Sequence, residues 1–173
     1  MNTAPINAES FSVREASMSA READGVLASV RRLPLQVFAK GDLDALDEIL
    51  APDFVDHSFP PGGPQNAAGV RNIVTQLRAS MPDLQVSLDI ELRDGDFVVH
   101  HEHMSGTNTG FAFGVEPTGR HAVWAATQIF RTRGPLVVEH WGVAKLDSLW
   151  VQLGLIEVPG TRSVPSGQPA ATR

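Results

Sequence analysis

The hydrophobic period of the sequence changes at Pro82. Before it, apolar residues recur every three or four positions, which is the spacing of helices that bury one face. After it, apolar and polar residues alternate, which predicts a half-buried strand whose apolar positions are Leu84, Val86, Leu88, Ile90 and Leu92. Helices followed by strands predict an α+β fold, in which N-terminal helices pack on one face of an antiparallel sheet.

Three helices are predicted ahead of the sheet. The first covers about 26–38 and contains Pro34, which should kink or divide it because proline has no N–H group. Gly41 can end this helix, and Asp42 can cap a second one that reaches Leu50. A Pro/Gly loop, FVDHSFPPGGPQ, is expected next, and a third helix runs from about residue 67 to 81.

Further strands follow the first one. Asp94-Gly95 is typical of a hairpin turn, and strand-like segments cover about 97–106, 121–131 and 136–144. Residues 147–155 fit a strand or a helix equally well. We therefore expect one domain over 21–158, between a flexible leader (1–20) and a flexible tail (159–173) rich in Pro, Gly and Ser.

The composition of the chain excludes several kinds of partner and site. The net charge of -6, without runs of one sign, argues against nucleic acid or a membrane surface as a partner. The chain has no cysteine, which excludes disulfides and zinc–thiolate sites and suits the cytoplasm, the compartment we expect. No apolar run is long enough to cross a membrane, and no signal peptide is recognised.

Histidines are the first candidates for chemistry. His101 and His103 share one strand face, but a competent metal site needs three or four ligands, so we predict no metal and a polar sheet face there. His140 lies among apolar residues, where it is either a structural residue or an acid/base group. Asp56-His57, at the start of the Pro/Gly loop, is expected either at the mouth of a ligand cavity that also contains His140 or as a turn pair that ties down the loop.

The strand at 121–131 has the pattern of a pocket wall. One face carries small and aromatic side chains with a single amide, namely Ala122, Trp124, Ala126, Gln128 and Phe130. Ligand pockets are lined in this way, with apolar groups and a few placed polar ones. A core strand whose glutamine is hydrogen-bonded to a neighbour explains the pattern equally well.

Three stretches carry a resemblance to a known family. They are GDLDALDEILAPDFVDH (41–57), RDGDFVVHHEHMSGTNTGFAFGVEPTGR (93–120) and VVEHWGVAKLDSLWVQLG (137–154). The order G-T-x-T-G, P-T-G-R, E-H-W, Q-L-G resembles the SnoaL-like polyketide cyclases of the nuclear transport factor 2-like superfamily. The resemblance implies a cone-shaped α+β barrel with a strongly curved antiparallel sheet around a hydrophobic cavity, and a homodimer formed through the outer sheet face.

The resemblance also implies an activity. Such cyclases close rings of polyketide esters by an aldol reaction, with an acid/base side chain and no cofactor. Their acid/base Asp corresponds here to Gly142 and their assisting His to Gln128, neither of which can take a proton. Replacing Asp by Gly is expected to enlarge the cavity at that point.

We therefore predict an enzyme that acts on a hydrophobic small molecule by cyclisation or isomerisation, using a relocated acid/base group. The catalytic candidates are His140, Glu102 and His57, and the substrate-binding candidates are Trp124, Gln128, Phe130, Gly142 and Phe54. The main alternative is a non-catalytic binding protein for a hydrophobic metabolite. A scaffold with a filled core and a metal site at His101 and His103 are the remaining hypotheses.

Overall fold

A computed structural model describes residues 20–59 and 62–157. Apart from Ala20, the predicted leader and tail lie outside these residues. The elements, in chain order, are α1 (Ala20–Arg32), α2 (Leu46–Ile49), β1 (Leu50–Asp56), α3 (Ala67–Ser80), β2 (Gln85–Asp94), β3 (Phe97–Thr107), β4 (His121–Arg133), β5 (Leu136–Ala144) and α4 (Leu146–Leu153). The α+β class is confirmed, and residues 147–155 prove to be mainly helical. No helix in the described part is long and apolar enough to cross a membrane.

The sheet is mixed rather than antiparallel. Its strand order is β1-β5-β4-β3-β2, and β1 pairs with β5 in parallel while the other neighbours are antiparallel. The first three residues of the predicted loop, 54–56, are the end of strand β1. Pro52 is tolerated in this strand because β1 lies at the edge of the sheet. The sheet is open and not strongly curled, so that part of the expectation is corrected.

Pro34 changes the first helical stretch without ending it. From Leu33 to Phe38, around Pro34, the chain continues α1 as a wider π-helical turn. The second helix is shorter than expected, and the Asp42 carboxylate accepts a hydrogen bond from the N–H of Ala45 (3.3 Å) just before it. Helix α3 begins after Asn66, whose side chain accepts hydrogen bonds from two main-chain N–H groups of the first turn.

A bulge in β2 reverses the faces of its second half. The register with β3 shifts between Leu88 and Ile90, so one extra residue is inserted into the alternation. Ile90 and Leu92, predicted to face the core, are therefore 51% and 62% exposed. Glu91 turns to the inner face instead, where its carboxylate contacts the buried His100 at 2.9 Å.

The helices cover one face of the sheet and leave two packed clusters with a space between them. One cluster joins α1, α2 and α3 to the sheet and includes Val30, Leu46, Val74 and Phe130. The other joins the end of α3 and α4 to β3 and β4 and includes Met81, Met104, Trp124, Leu149 and Leu153. The functional cavity is built from the facing surfaces of both clusters.

The G-T-N-T-G motif at 106–110 fastens β3 to the end of α3. Asn108 is fully buried and donates to Ser80 Oγ (2.8 Å), while the N–H groups of Thr109 and Gly110 donate to the Ser80 carbonyl oxygen. A Cβ at Gly110 would overlap the carbonyl oxygen of Ala79, so glycine is needed for this close approach. The glycines of the motif therefore serve packing.

Two glycine-to-alanine substitutions should have opposite effects on stability. Gly110→Ala forces backbone apart and should destabilise the protein by about 1–3 kcal/mol. Gly25→Ala lies in α1 with no atom near its new Cβ, and should stabilise by up to about 1 kcal/mol through helix propensity. Urea unfolding of both variants checks this, and equal effects would contradict the packing role of Gly110.

Candidate active site

A cavity of about 510 Å³ lies between the helices and the inner face of β3, β4 and β5. Its wall is largely apolar and has a few polar groups, the usual composition of a small-molecule pocket. Seven of the predicted site residues line it, namely Phe54, Glu102, Trp124, Gln128, Phe130, His140 and Gly142. Alternation along β4 thus placed Trp124, Gln128 and Phe130 on the correct face.

His57 does not line this cavity. Its ring stacks on Trp141 with centroids 4.7 Å apart, and its Nε2 lies 3.4 Å from a carboxylate oxygen of Glu139. Asp56 does line the cavity, because it and Phe54 lie two positions apart on strand β1. The sequence predicts Asp56 and His57 together at the mouth of the cavity. In the structure, Asp56 lines the cavity and His57 does not.

Four polar side chains form a hydrogen-bonded chain across four neighbouring strands. Asp56 Oδ2 on β1 lies 3.0 Å from His140 Nδ1 on β5. His140 Nε2 lies 2.9 Å from Gln128 Oε1 on β4, and Gln128 Nε2 donates to Glu102 Oε1 on β3 (3.1 Å). Both ring nitrogens of His140 are therefore engaged. We call Asp56, His140, Gln128 and Glu102 the polar chain.

Gly142 makes room for the polar chain. A Cβ at this position would overlap Gln128 Oε1 and lie 3.1 Å from His140 Nε2. The Gln128 amide occupies space next to the Gly142 backbone. Gly142 also lines the cavity, and its enlargement relative to a site with Asp stays a prediction. Gln128 can reach His140 only because residue 142 has no side chain.

The pKa values of the two carboxyl groups in the polar chain are shifted in opposite directions. Burial raises the pKa of Glu102 above its ordinary value, although the hydrogen bond from Gln128 opposes the shift. Burial also opposes ionisation of Asp56, but the hydrogen bond and charge of His140, together with the N–H of Ser58, outweigh it and lower the pKa of Asp56. Relative to the free side chains, Glu102 thus holds its proton more tightly and Asp56 less tightly.

The carboxyl group of Glu102 is only partly satisfied by hydrogen bonds. Glu102 is 4% exposed, and its Oε2 is buried without a hydrogen-bond partner among the residues that the structure describes. An unsatisfied buried oxygen is costly and rare, and at a cavity wall it points to a ligand. Sequence pattern ranks Glu102 after His140, because it cannot show that both imidazole nitrogens are hydrogen-bonded.

The remaining histidines lie outside the cavity. His101 and His103 share one face of β3 as predicted, where His101 Nδ1 bonds Thr127 Oγ1 (2.9 Å) and His103 Nδ1 bonds Asp89. His100 faces inward next to Glu91, and burial lowers its pKa. Within residues 20–59 and 62–157, no three His, Asp or Glu side chains are grouped so as to hold a metal.

The raised pKa of Glu102 should make Glu102→Gln more stable than wild type near neutral pH. The folded protein holds this proton more tightly than the unfolded chain, so wild-type stability falls as pH rises above about 4.5. Glutamine carries no such penalty. Thermal unfolding at several pH values should show an advantage for Glu102→Gln that grows with pH and vanishes in acid. Glu116→Gln, at an exposed site, is the matched control, and an equal pH trend in both variants would contradict the assignment.

Solved structures share this fold. TsrD from Streptomyces laurentii matches with a TM-score of 0.69 and 24% identity, over 81% of this chain and 100% of that chain. IdmH from Streptomyces antibioticus matches with a TM-score of 0.66 and 29% identity, over 78% and 99%. A SnoaL-like polyketide cyclase from Agrobacterium tumefaciens matches with a TM-score of 0.60 and 18% identity, over 79% and 100%.

Family membership follows from the sequence as well. No curated protein matches the chain. The profile of the SnoaL-like polyketide cyclases matches residues 28–153, which include every strand and the whole polar chain. The resemblance seen in the sequence motifs is thereby confirmed. The chain belongs to the SnoaL-like polyketide cyclase family.

Proposed function

We propose that this protein is an enzyme that moves a proton on an uncharged, hydrophobic carbonyl compound, with Glu102 as the acid/base group. Family membership supports aldol cyclisation, or the related isomerisation, as the reaction class. The observation that carries the proposal is the Glu102 carboxyl group, which is buried at the wall of an apolar cavity. One of its oxygens is bound to Gln128, and no described residue bonds the other.

The proposed reaction needs one group that first takes and then returns a proton. The Glu102 carboxylate removes a proton from a carbon next to a carbonyl group, and the resulting enolate carbon attacks a second carbonyl carbon of the same molecule. A carbon–carbon bond forms, the carbonyl π bond breaks, and the new alkoxide oxygen receives the proton from Glu102. A carboxyl group with a raised pKa is suited to both steps near neutral pH.

His140 acts through Gln128 in this proposal. Its Nδ1 is bound to Asp56 and its Nε2 to Gln128, so neither nitrogen is left to meet a substrate in the described structure. Its ring also stacks on Phe130 with centroids 5.0 Å apart, which fixes its orientation. His140 is therefore a positioning residue, and Glu102 replaces it as the first catalytic candidate.

The lining of the cavity favours an uncharged ligand. No lysine or arginine is among the described residues that line it, so a free carboxylate or phosphate finds no counter-charge there. The polar groups outside the polar chain are neutral, namely Ser58, Ser80 and Asn108. The aromatic rings of Phe54, Trp124 and Phe130 provide flat apolar contacts for a cyclic or folded carbon skeleton.

Removing the carboxyl group of Glu102 should abolish most of the activity. With a polyketide ester as substrate, we expect Glu102→Gln to lower kcat/KM by about 10²–10⁴-fold, the usual contribution of a general acid/base. Glu139→Gln is the matched control, since Glu139 bonds Arg131 and His57 rather than lining the cavity. His57→Ala should also retain activity. Full activity of Glu102→Gln would overturn the assignment of Glu102.

A non-catalytic binding protein is the second candidate. It is favoured by Gly142 and Gln128, which stand where the family resemblance places an acid/base pair. This alternative predicts that a polyketide ester binds saturably, as followed by tryptophan fluorescence, and is recovered unchanged; Trp124 and Trp150 line the cavity and would report the binding. Conversion of the bound ester at a defined rate, lost in Glu102→Gln, would exclude it.

We also propose that a second copy of the chain covers the outer face of the sheet. Four apolar residues lie side by side across β2, β3, β4 and β5 on this face, namely Leu92, Val99, Ile129 and Trp141. Leu92 and Ile129 are 62% and 38% exposed, and the helices cover only the opposite face. A continuous apolar row whose members are exposed or half-buried is typical of a subunit interface.

A charge in this row should separate the subunits. We expect sedimentation velocity to show a dimer for wild type and a monomer for Ile129→Glu, because a carboxylate cannot be buried there without a partner. Leu35→Glu is the control, since Leu35 is exposed on the helical side. A monomeric wild type, or an unchanged dimer in Ile129→Glu, would contradict the proposed interface.

A further inference from the structure

The Gln128 amide links two groups that can each carry a proton. Its oxygen faces His140 Nε2 and its nitrogen faces Glu102 Oε1. An amide has a donor at one end and an acceptor at the other, so its orientation dictates which neighbour must donate and which must accept. With His140 Nδ1 donating to Asp56, a second donation from Nε2 to the amide oxygen requires the imidazolium form. Glu102 then accepts as a carboxylate.

The reversed amide satisfies the same contacts with a different proton arrangement. The amide N–H would donate to a neutral His140 at Nε2, and the amide oxygen would accept from a protonated Glu102 at Oε1. His140 loses one proton and Glu102 gains one, so the polar chain holds the same number of protons and the same net charge in both arrangements. The exchange needs no proton from outside and no change at Asp56.

We propose that Gln128 reverses between these two orientations and so makes Glu102 and His140 share one proton. Glu102 is then the base when His140 is the imidazolium ion, and the acid when His140 is neutral. The catalytic use of this sharing rests on the proposed function, but the sharing itself is a property of the free protein. Gln128 is a positioning residue in this mechanism, since it touches both titrating groups and transfers no proton to a substrate.

The pairing of Gln128 with Gly142 supports the proposal. A carboxylate or hydroxyl at position 128 would lack an amide's fixed donor and acceptor ends, and a side chain at position 142 would displace the amide. Gly142 has no positive φ and needs no special backbone conformation, so the space for the amide is the structural feature that requires glycine. Gln128 and Gly142 thus act together: one supplies the amide and the other supplies the space for it.

The groups around the polar chain act on its protons in opposite directions. Burial of Glu102 favours the arrangement in which Glu102 carries the proton, and the Asp56 carboxylate on β1 lies 3.0 Å from His140 at the other end of the polar chain. From β2, the charge of Asp89 also favours protonation of Glu102, and His140 on β5 opposes it. His100 is the remaining titratable group on the inner face of β3, and it is paired with Glu91. The helices contribute no charged side chain to the described lining.

Nuclear magnetic resonance of the free protein can test the sharing. The Glu102 side-chain carbon and the His140 ring nitrogens would be followed from acid to alkaline pH. In wild type we expect each nucleus to report the same two steps, separated by more than about one pH unit, as for two coupled sites. As His140 loses its Nε2 proton, a scalar coupling between Gln128 Nε2 and His140 Nε2 should appear across their new hydrogen bond.

Two variants remove the bridge by different routes. Gln128→Leu deletes the amide. Gly142→Ala keeps the amide but pushes it away from His140. Both should reduce the two-step curves to one main step at each nucleus, and Gly142→Ala should abolish the nitrogen–nitrogen coupling. Gln85→Leu, at an exposed position of β2, and Gly25→Ala are the matched controls and should behave as wild type.

The outcomes separate this proposal from the proposed function. Persistence of the two shared steps in both bridge variants would overturn the role of Gln128, because the coupling would then act directly through space. Absence of the nitrogen–nitrogen coupling at every pH in wild type would overturn the reversal. Shared steps without turnover of a polyketide ester would leave the proton sharing established and refute the enzyme. Turnover of the ester without shared steps would support the enzyme and refute the proton sharing.

Discussion

A buried carboxyl group in an apolar cavity has to be neutral or matched by hydrogen bonds, and this requirement organises the site. Gln128 donates a hydrogen bond to one oxygen of Glu102. The other end of the Gln128 amide contacts His140, and His140 contacts Asp56. Each of these residues comes from a different strand, so their contacts depend on the strand order β1-β5-β4-β3. The cavity and its chemistry therefore depend on the sheet register more than on any single residue.

Much of this architecture could be predicted from local pattern. Alternation along β4 gave the correct inner face, because that strand runs without a bulge from His121 to Arg131. The same rule failed in β2, where the bulge after Leu88 turns Ile90 outward and leaves no local signal in the sequence. Strand β1 was missed because it contains Pro52 and pairs with a strand more than eighty residues later. Non-local pairing of this kind cannot be found from periodicity.

The family motifs describe how the cavity is closed. Gln152 of Q-L-G bonds both main-chain groups of Val123, which fastens α4 to β4. Arg120 of P-T-G-R lies against Gly154 at the end of the same helix, where a Cβ would overlap its guanidinium group. Asn108 fastens the end of α3. These anchors explain why the motifs indicated the fold correctly while leaving the acid/base residue open.

The packing of Gln128 against Gly142 also restricts how this site can change. A substitution that adds a side chain at 142 meets the amide of Gln128, unless residue 128 has first been shortened. Shortening residue 128 alone removes the partner of both His140 and Glu102. The two positions are therefore epistatic, and a new acid/base group at position 142 is reached more readily by a paired replacement than by either single step.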